Sequence, residues 1–486
     1  MPKLRVLFVS SEIAPFAKTG GLADVAQALP PALARLGAEV KVFMPLYRQV
    51  NREGLRKIKG GSFTLTASGI ETEVEILQGS LAKGVPAYFI GNDRYFDREH
   101  LYGTPQGDYP DNAERFIFFC RALLDYVRAN MASPPDIIHC NDWQTGLIPA
   151  YFKTTSGDDF FSATATAYTI HNLAYQGLFP LDRFPLTGLP PELAGMSGIE
   201  FWGQMNFMKA GINFSEVINT VSPTYAKEIQ TPEFGYGLEG VLADRAADLH
   251  GILNGANYEV WDPSHDPLIP ANYDANNPAG KARCKEALLK AYGLPSTKSP
   301  VIGIISRLAD QKGFDLLAQA IDRIMAMDTI LVLLGTGDQK YHDMFEEIGR
   351  RYPKRAGIRI GFDNKLAHLI EAGADMFLMP SRYEPGGLNQ LYSFRYGTLP
   401  IVRATGGLDD TVSDYDPATG EGTGFKFREY SAEAMLAKIR TALDSFADKK
   451  AWERLVKRAM QLDFSWDKSA RSYLDLYQTA LNKRRQ

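Results

Sequence analysis

Short apolar runs bounded by turn residues alternate with longer amphipathic stretches along this chain, and they do so in two separate series. In the first series the runs are Leu4 to Val9, Val40 to Met44, Ile137 to His139, Ala165 to Ile170 and Val217 to Val221. Between them lie helical patterns such as Leu22 to Leu36, where Leu22, Val25, Ala26, Leu29, Leu33 and Leu36 recur close to a 3.6-residue period. Buried strands that alternate with helices make a parallel sheet covered on both faces. The first series stops near Asn254. A polar stretch rich in Pro and Asn then runs from Asp262 through NYDANNPAG to Gly280 and marks a domain joint. The pattern restarts with VIGIIS at 301–306, ILVLLG at 330–335, MFLMPS at 376–381 and LPIVRA at 399–404. A chain of 486 residues exceeds one ordinary core. The expectation is α/β: two parallel-sheet lobes facing a central cleft, over residues 1–255 and 256–465, with a helical tail at 466–486 packing back on the first.

Charge and composition remove whole classes of function. The net charge is −4, from 53 basic and 57 acidic side chains, so a broad phosphate-tracking surface for nucleic acid is not expected and any anion site must be local. The chain opens directly into LRVLFVS, and no run reaches the roughly 18 apolar residues that span a bilayer, so neither a leader nor a membrane partner is expected. The cytoplasm is the expected compartment. Cys120, Cys140 and Cys284 are odd in number and sit in apolar or helical contexts, which reads as buried reduced thiols. With 7 histidines and neither HExxH nor CxxC spacing, no metal and no other cofactor is expected.

The chemistry-bearing segments follow strands. Lys18-Thr19-Gly20-Gly21-Leu22 lies between the first strand and its helix. Two glycines let the backbone approach a ligand, the helix terminus offers unpaired N–H groups, and Lys18 adds a full charge, which together suit a diphosphate. The plainer reading is a tight turn with a surface lysine. In the second series, Arg307 and Lys312 of SRLADQKG occupy the corresponding place, where two fixed cations can neutralise charge growing on a leaving group; alone they read as solvated side chains. Tyr383-Glu384-Pro385-Gly386-Gly387-Leu388-Asn389-Gln390 joins an acceptor carboxylate to a helix amino terminus, and RATGGLDDTV, with Thr405, repeats the glycine-loop design. Asp142 of HCNDWQ and His171 of TIHN stand at strand carboxyl ends, where open α/β sheets bind ligands, although a single histidine there is commonly structural.

Three matches point elsewhere and are set aside. Gly235-Tyr236-Gly237-Leu238-Glu239-Gly240 spells GxGxxG, yet TPEF precedes it instead of a strand. Gly335-Thr336-Gly337 lacks the third glycine, and Asp414-Tyr415-Asp416 has no apolar strand leading in, which argues against a metal-binding DxD.

SSEIAPFAKTGGLADV, NDWQTGL, YTIHNLAYQG, TPEFGYGLEG, ILNG, SRLADQKG, YEPGGLNQLYSFRYG and RATGGLDDTV occur in this order from about residue 4 to 466. Together they resemble the bacterial glycogen and plant starch synthases. The resemblance implies a GT-B fold of two Rossmann-like lobes, ADP-glucose as donor, an α-1,4-glucan such as glycogen as acceptor, no metal, and retention at the transferred carbon. It further implies that Lys18, Asp142, His171, Arg307, Lys312 and Glu384 carry the chemistry. Gly20, Gly21, Asn254, Gly387, Leu388, Asn389 and Thr405 would join Lys18, Arg307 and Lys312 in holding the donor, and Glu12, Asp24, Tyr102 and Asn172 are further candidates. Where the family usually reads E-P-C-G-L-T-Q, this chain has Gly386 for the cysteine and Asn389 for the threonine. A long acceptor also implies aromatic contacts at the rim of the first lobe, for which Tyr95, Phe96 and Tyr102 are candidates, with core packing an equal reading for Phe96. Two other readings stay open: another retaining GT-B glycosyltransferase using UDP-glucose, and a non-catalytic glucan-binding paralogue.

Overall fold

The structure is a computed structural model that describes residues 3–67, 69–104, 106–154 and 160–485. Strand Arg5–Val9, apolar and almost fully buried, lies inside a nine-stranded sheet. Across that sheet the strands run Leu249–Gly251, Val217–Thr220, Ala165–Ile170, Ile137–Asn141, Arg5–Val9, Glu39–Pro45, Val85–Gly91, Ile70–Ala82 and Arg56–Ala67. The first seven are mutually parallel, which places every loop that follows them at one end of the sheet.

The expected wholly parallel sheet needs a correction at its edge. Ile70–Ala82 pairs antiparallel with both Val85–Gly91 and Arg56–Ala67. The physical cause is legible in GIETEVEIL: Glu71 and Glu73 are exposed while Val74 and Ile76 are buried, the period-two alternation of a strand wet on one face.

The second sheet has six strands, in the order Ala356–Ile360, Ile330–Gly337, Val301–Leu308, Met376–Met379, Leu399–Arg403 and Phe425–Phe427, all parallel. Its core is aliphatic, with Ile302, Ile304, Leu331, Leu333, Leu378 and Ile401 buried beneath Phe314, Leu317 and Ile321 of helix Phe314–Met325.

The chain divides into two compact units. One comprises Met1–Val221, Ala226–Leu253 and Trp466–Gln486; the other comprises Ser222–Tyr225 and Asn254–Ser465. Helix Trp466–Arg484 belongs to the first unit because its apolar face is buried there. Tyr477 bonds His139 Nδ1 at 2.8 Å, Asn219 donates to the Tyr473 hydroxyl at 3.2 Å, and Ser469 donates to the Leu253 carbonyl at 2.7 Å. The polar stretch after Asn254 is built into the second unit. Asp266 accepts from Tyr396 at 2.5 Å and pairs with His368 at 2.7 Å, while Trp261 stacks on His368 and Tyr392. Its polar residues make tertiary bonds, so composition typical of a linker here encodes a packed segment. All three cysteines are buried free thiols.

Candidate functional site

In the first unit the segment Ser10 to Gly21 leaves the end of strand Arg5–Val9 and enters helix Gly21–Arg35. Its shape is set by Glu12, a buried carboxylate that accepts from the Thr19 amide at 2.5 Å, the Thr19 hydroxyl at 2.6 Å and the Gly20 amide at 3.2 Å. Tyr102 donates to the same carboxylate at 2.8 Å. Glu12 and Tyr102 therefore hold the glycine loop in place. Lys18 is half exposed and paired with Asp24 at 2.6 Å in the first helical turn.

The two glycines are informative for what does not surround them. A Cβ at Gly20 or Gly21 would meet nothing within 4 Å, and Gly20 is extended at φ −150°. Neither packing nor conformation demands glycine there, so the fold leaves room directly before a 15-residue helix whose amino terminus has no side-chain cap.

Asp142 and His171 follow adjacent parallel strands, Ile137–Asn141 and Ala165–Ile170, at the same sheet end. Asp142 has φ 56° and ψ −178°, a region that costs a non-glycine residue on the order of 1–3 kcal/mol. It is held there because its amide donates to the Thr169 carbonyl at 3.0 Å and its Oδ1 accepts from the His171 amide at 2.8 Å. Burial pushes the Asp142 carboxyl up to about 7, against the lowering pull of the His171 amide, and the nearby Glu12 charge adds to the rise. Burial lowers the His171 imidazole to about 3, so it is neutral. Its Nε2 meets Asn141 Oδ1 at 2.9 Å, and the Asn141 amide donates to the Val9 carbonyl. An imidazole that donates from Nε2 presents Nδ1 as an acceptor. Asn172 accepts from the Ala174 amide at 3.1 Å and shapes the following turn.

In the second unit three neighbouring strand ends converge. Lys312, in the turn Asp310–Lys312, pairs with Glu384 Oε2 at 2.6 Å, and Ser381 donates to the same oxygen at 3.0 Å. Glu384 is 6% exposed, so its charge is compensated by these two groups instead of water. Arg307 is exposed and donates to Gln311 at 3.2 Å, and Gln311 donates to the Tyr383 carbonyl at 3.2 Å, tying the two loops together. Gly313 must be glycine: φ is +72°, and a Cβ would stand 2.0 Å from the Pro380 carbonyl oxygen. Gly406 is equally constrained, at φ +44° with a Cβ 2.1 Å from the Glu384 carbonyl oxygen.

The remaining expected residues fall into place in this unit with different roles. Asn389 opens helix Asn389–Tyr396 and donates to the Ile305 carbonyl at 2.8 Å, fastening that helix to the strand that carries Arg307. Leu388 precedes this helix and packs toward Ala256, Leu391 and Tyr392, while Gly387 lies against Glu384 and Gln390. Thr405 is buried at the start of helix Gly406–Thr411. Asn254 is 7% exposed and its Oδ1 is buried without a hydrogen-bond partner among the described residues. A Cβ added at Gly407 would stand 2.9 Å from the Gly386 Cα, so the close approach of these two loops constrains position 407.

The rim expectation fails for Tyr95, and Phe96 takes the core-packing alternative. Phe96 is fully buried and Tyr95 is 8% exposed, so neither lines a rim; they pack with Phe118 in the core. Sequence reasoning also passed over Ser381, Gln311 and Asn141, which brace Glu384, Arg307 and His171; their one signal was position at a strand carboxyl end. Asp414 is bonded to Lys438 at 2.8 Å and the Lys426 amide, a structural assignment for the DxD-like triplet.

Comparison with known proteins converges on one family. Residues 5–244 match the family model described as starch synthase catalytic domain, and residues 287–461 match glycosyl transferases group 1. A glycogen synthase of Koribacter versatilis is 49% identical over 478 residues, covering 98% of both chains. A glycogen synthase of Thermotoga maritima is 48% identical over 492 residues, covering 99% of both. Among solved structures, the catalytic domain of starch synthase IV from Arabidopsis thaliana, bound to ADP and acarbose, superposes with a TM-score of 0.90 at 33% identity, over 99% of this chain and 100% of that one. A sucrose-phosphate synthase from Thermosynechococcus elongatus shares the fold alone, at TM-score 0.61 and 17% identity. With the strand-end loops described above and relatives matched along nearly the entire length, this chain belongs to the glycogen synthase family of GT-B glycosyltransferases.

Proposed function

We propose that this chain transfers glucose from ADP-glucose to the 4-hydroxyl at the non-reducing end of an α-1,4-glucan, with retention of configuration, and so elongates glycogen. The observation that carries this reading is the charge arrangement of the second unit: Arg307, at the carboxyl end of parallel strand Val301–Leu308 and braced by Gln311, and Lys312, in the turn that follows and held on a buried Glu384. Fixed cations stabilise charge that develops as a glycosyl–phosphate bond breaks, and they need no metal to do so. The ADP in the related starch synthase IV structure supports the adenine nucleotide as donor.

On this reading the unit ending at about residue 255 serves the acceptor, residues 256–465 serve the nucleotide sugar, and the tail completes the first. In the second unit Arg307 and Lys312 bind diphosphate; in the first, Lys18 and the open helix terminus at Gly20 and Gly21 are suited to the same group. Glu384 accepts from sugar hydroxyls. Asp142 and the neutral His171 are acceptors for hydroxyls of the transferred glucose, and the unpartnered Oδ1 of Asn254 suits the same task. The acceptor 4-oxygen attacks the anomeric carbon on the face from which the diphosphate departs. The carbon–oxygen bond to phosphate breaks, and the departing phosphate oxygen receives the proton of the attacking hydroxyl. The buried free thiols fit work in the cytoplasm.

The test is release of ADP or UDP from the two glucose donors, with and without glycogen and without added metal. ADP release that depends on glycogen is the expected result. UDP release alone moves the donor assignment, and no release from either overturns the catalytic reading.

A further inference from the structure

Large aromatic side chains rarely stand in water on strained backbone, yet this chain does so twice in one place. Trp202 is 84% exposed at φ +51°, and Tyr236 is 42% exposed at φ +50°. Positive φ is a genuine outlier for bulky residues, and such outliers concentrate at ligand sites. Trp202 and Gly203 form the two-residue connection between strands Glu200–Phe201 and Gln204–Asn206, where Asn-Gly would be the unstrained choice.

The two residues are built into one surface. At Gly237, φ +83°, a Cβ would stand 2.8 Å from the Phe201 ring and 3.4 Å from Trp202 Nε1, so only glycine lets the Tyr236 turn sit against Trp202. Gln176 donates to the Tyr236 carbonyl at 3.1 Å and accepts from Asn206 at 2.7 Å, which ties in a third segment carrying Tyr175, 54% exposed. The Tyr175 amide donates to the Asn172 carbonyl at 3.2 Å, so the surface continues into the loop that bears His171. Within the GxGxxG run at 235–240, Gly237 thus has a structural purpose: it seats one aromatic beside another.

We propose that Trp202, Tyr236 and Tyr175 form the platform on which the α-1,4-glucan acceptor chain lies. The inference rests on the glucan-transfer reading above. Separate aromatic faces among polar groups suit sugar rings, which offer C–H faces for stacking and hydroxyl edges for bonding. An extended acceptor needs such a surface continuous with the sugar-binding loop, and Tyr95 and Phe96 are buried in the core.

Four variants of the full chain test it: Trp202→Ala, Tyr236→Ala, the two alanine substitutions combined, and Trp202→Gly. The KM for glycogen is expected to rise about tenfold in the double alanine variant, as the loss of aromatic contacts implies, while the KM for ADP-glucose stays within about twofold. Calorimetric titration with maltoheptaose, without donor, weakens in parallel. Trp202→Gly relieves the turn, so its Tm rises while glucan affinity falls, a combination that a purely structural tryptophan does not give. Unchanged glycogen KM and unchanged maltoheptaose affinity in an active enzyme overturn the platform alone. A wild-type chain that binds maltoheptaose, loses it with Trp202→Ala, and releases no nucleotide keeps the platform and overturns the transferase reading.

Discussion

On the proposed function, the Lys312–Glu384 ion pair would serve both stability and chemistry. At 2.6 Å and with little exposure of either side chain, each compensates the other before any ligand arrives. Lys312→Ala is expected to lower turnover by about a hundredfold or more, the scale of removing one preorganised donor, and to lower Tm by uncovering Glu384; steady-state kinetics beside calorimetry separates the two effects. Asp142 is the titrating counterpart. Its folded carboxyl, at about 7, lies above its ordinary value, so between about pH 4 and 7 the native state holds a proton the unfolded chain has lost. Stability must fall as pH rises through that window and level off above it. Asp142→Asn removes this slope in pH-dependent denaturation. If the ionised form accepts from a sugar hydroxyl, wild-type activity rises through pH 7 and the variant shows no inflection there.

At the scale of elements, the space at a missing Cβ separates glycines that packing demands from glycines that it does not. Gly406→Ala forces a Cβ to 2.1 Å from the Glu384 carbonyl at φ +44°, and is expected to cost roughly 2 kcal/mol or more and to displace Glu384, so urea denaturation and activity fall together. Gly21→Ala meets open space at a helix start, where alanine is favoured over glycine by up to about 1 kcal/mol. Stability should hold or rise while the KM for the nucleotide sugar increases; an unchanged KM removes the diphosphate role from that terminus. The glycine motifs were legible in the sequence, but not which kind each was, because that depends on what stands opposite the missing Cβ.

At the scale of the whole molecule, the tail is the feature with the longest reach. Tyr477 bonds His139 across 338 residues of sequence, and Tyr473, Tyr477 and Trp466 are buried. Deleting residues 466–486 is expected to cost several kcal/mol, at about 1.5–3 kcal/mol for each large apolar side chain re-exposed. It should also destabilise the first unit selectively. Proteolysis that attacks residues 1–253 first would agree; equal protection of both units would show that the helix contributes little.

The sequence by itself determined the two series of buried strands, the helix after KTGGL, and the family, because periodicity and turn chemistry are written within windows of about ten residues. The candidate charged residues Lys18, Arg307, Lys312 and Glu384 were legible there too, since each belongs to a local motif at or after a strand. Tertiary structure alone decided the rest. Glu12 organises the glycine loop with Tyr102, 90 residues away; Phe96 is core while Trp202 stands in solvent; and the polar stretch after Asn254 packs instead of linking. These depend on which distant groups the sheets bring together, and burial is a property of that assembly, not of any single stretch of chain.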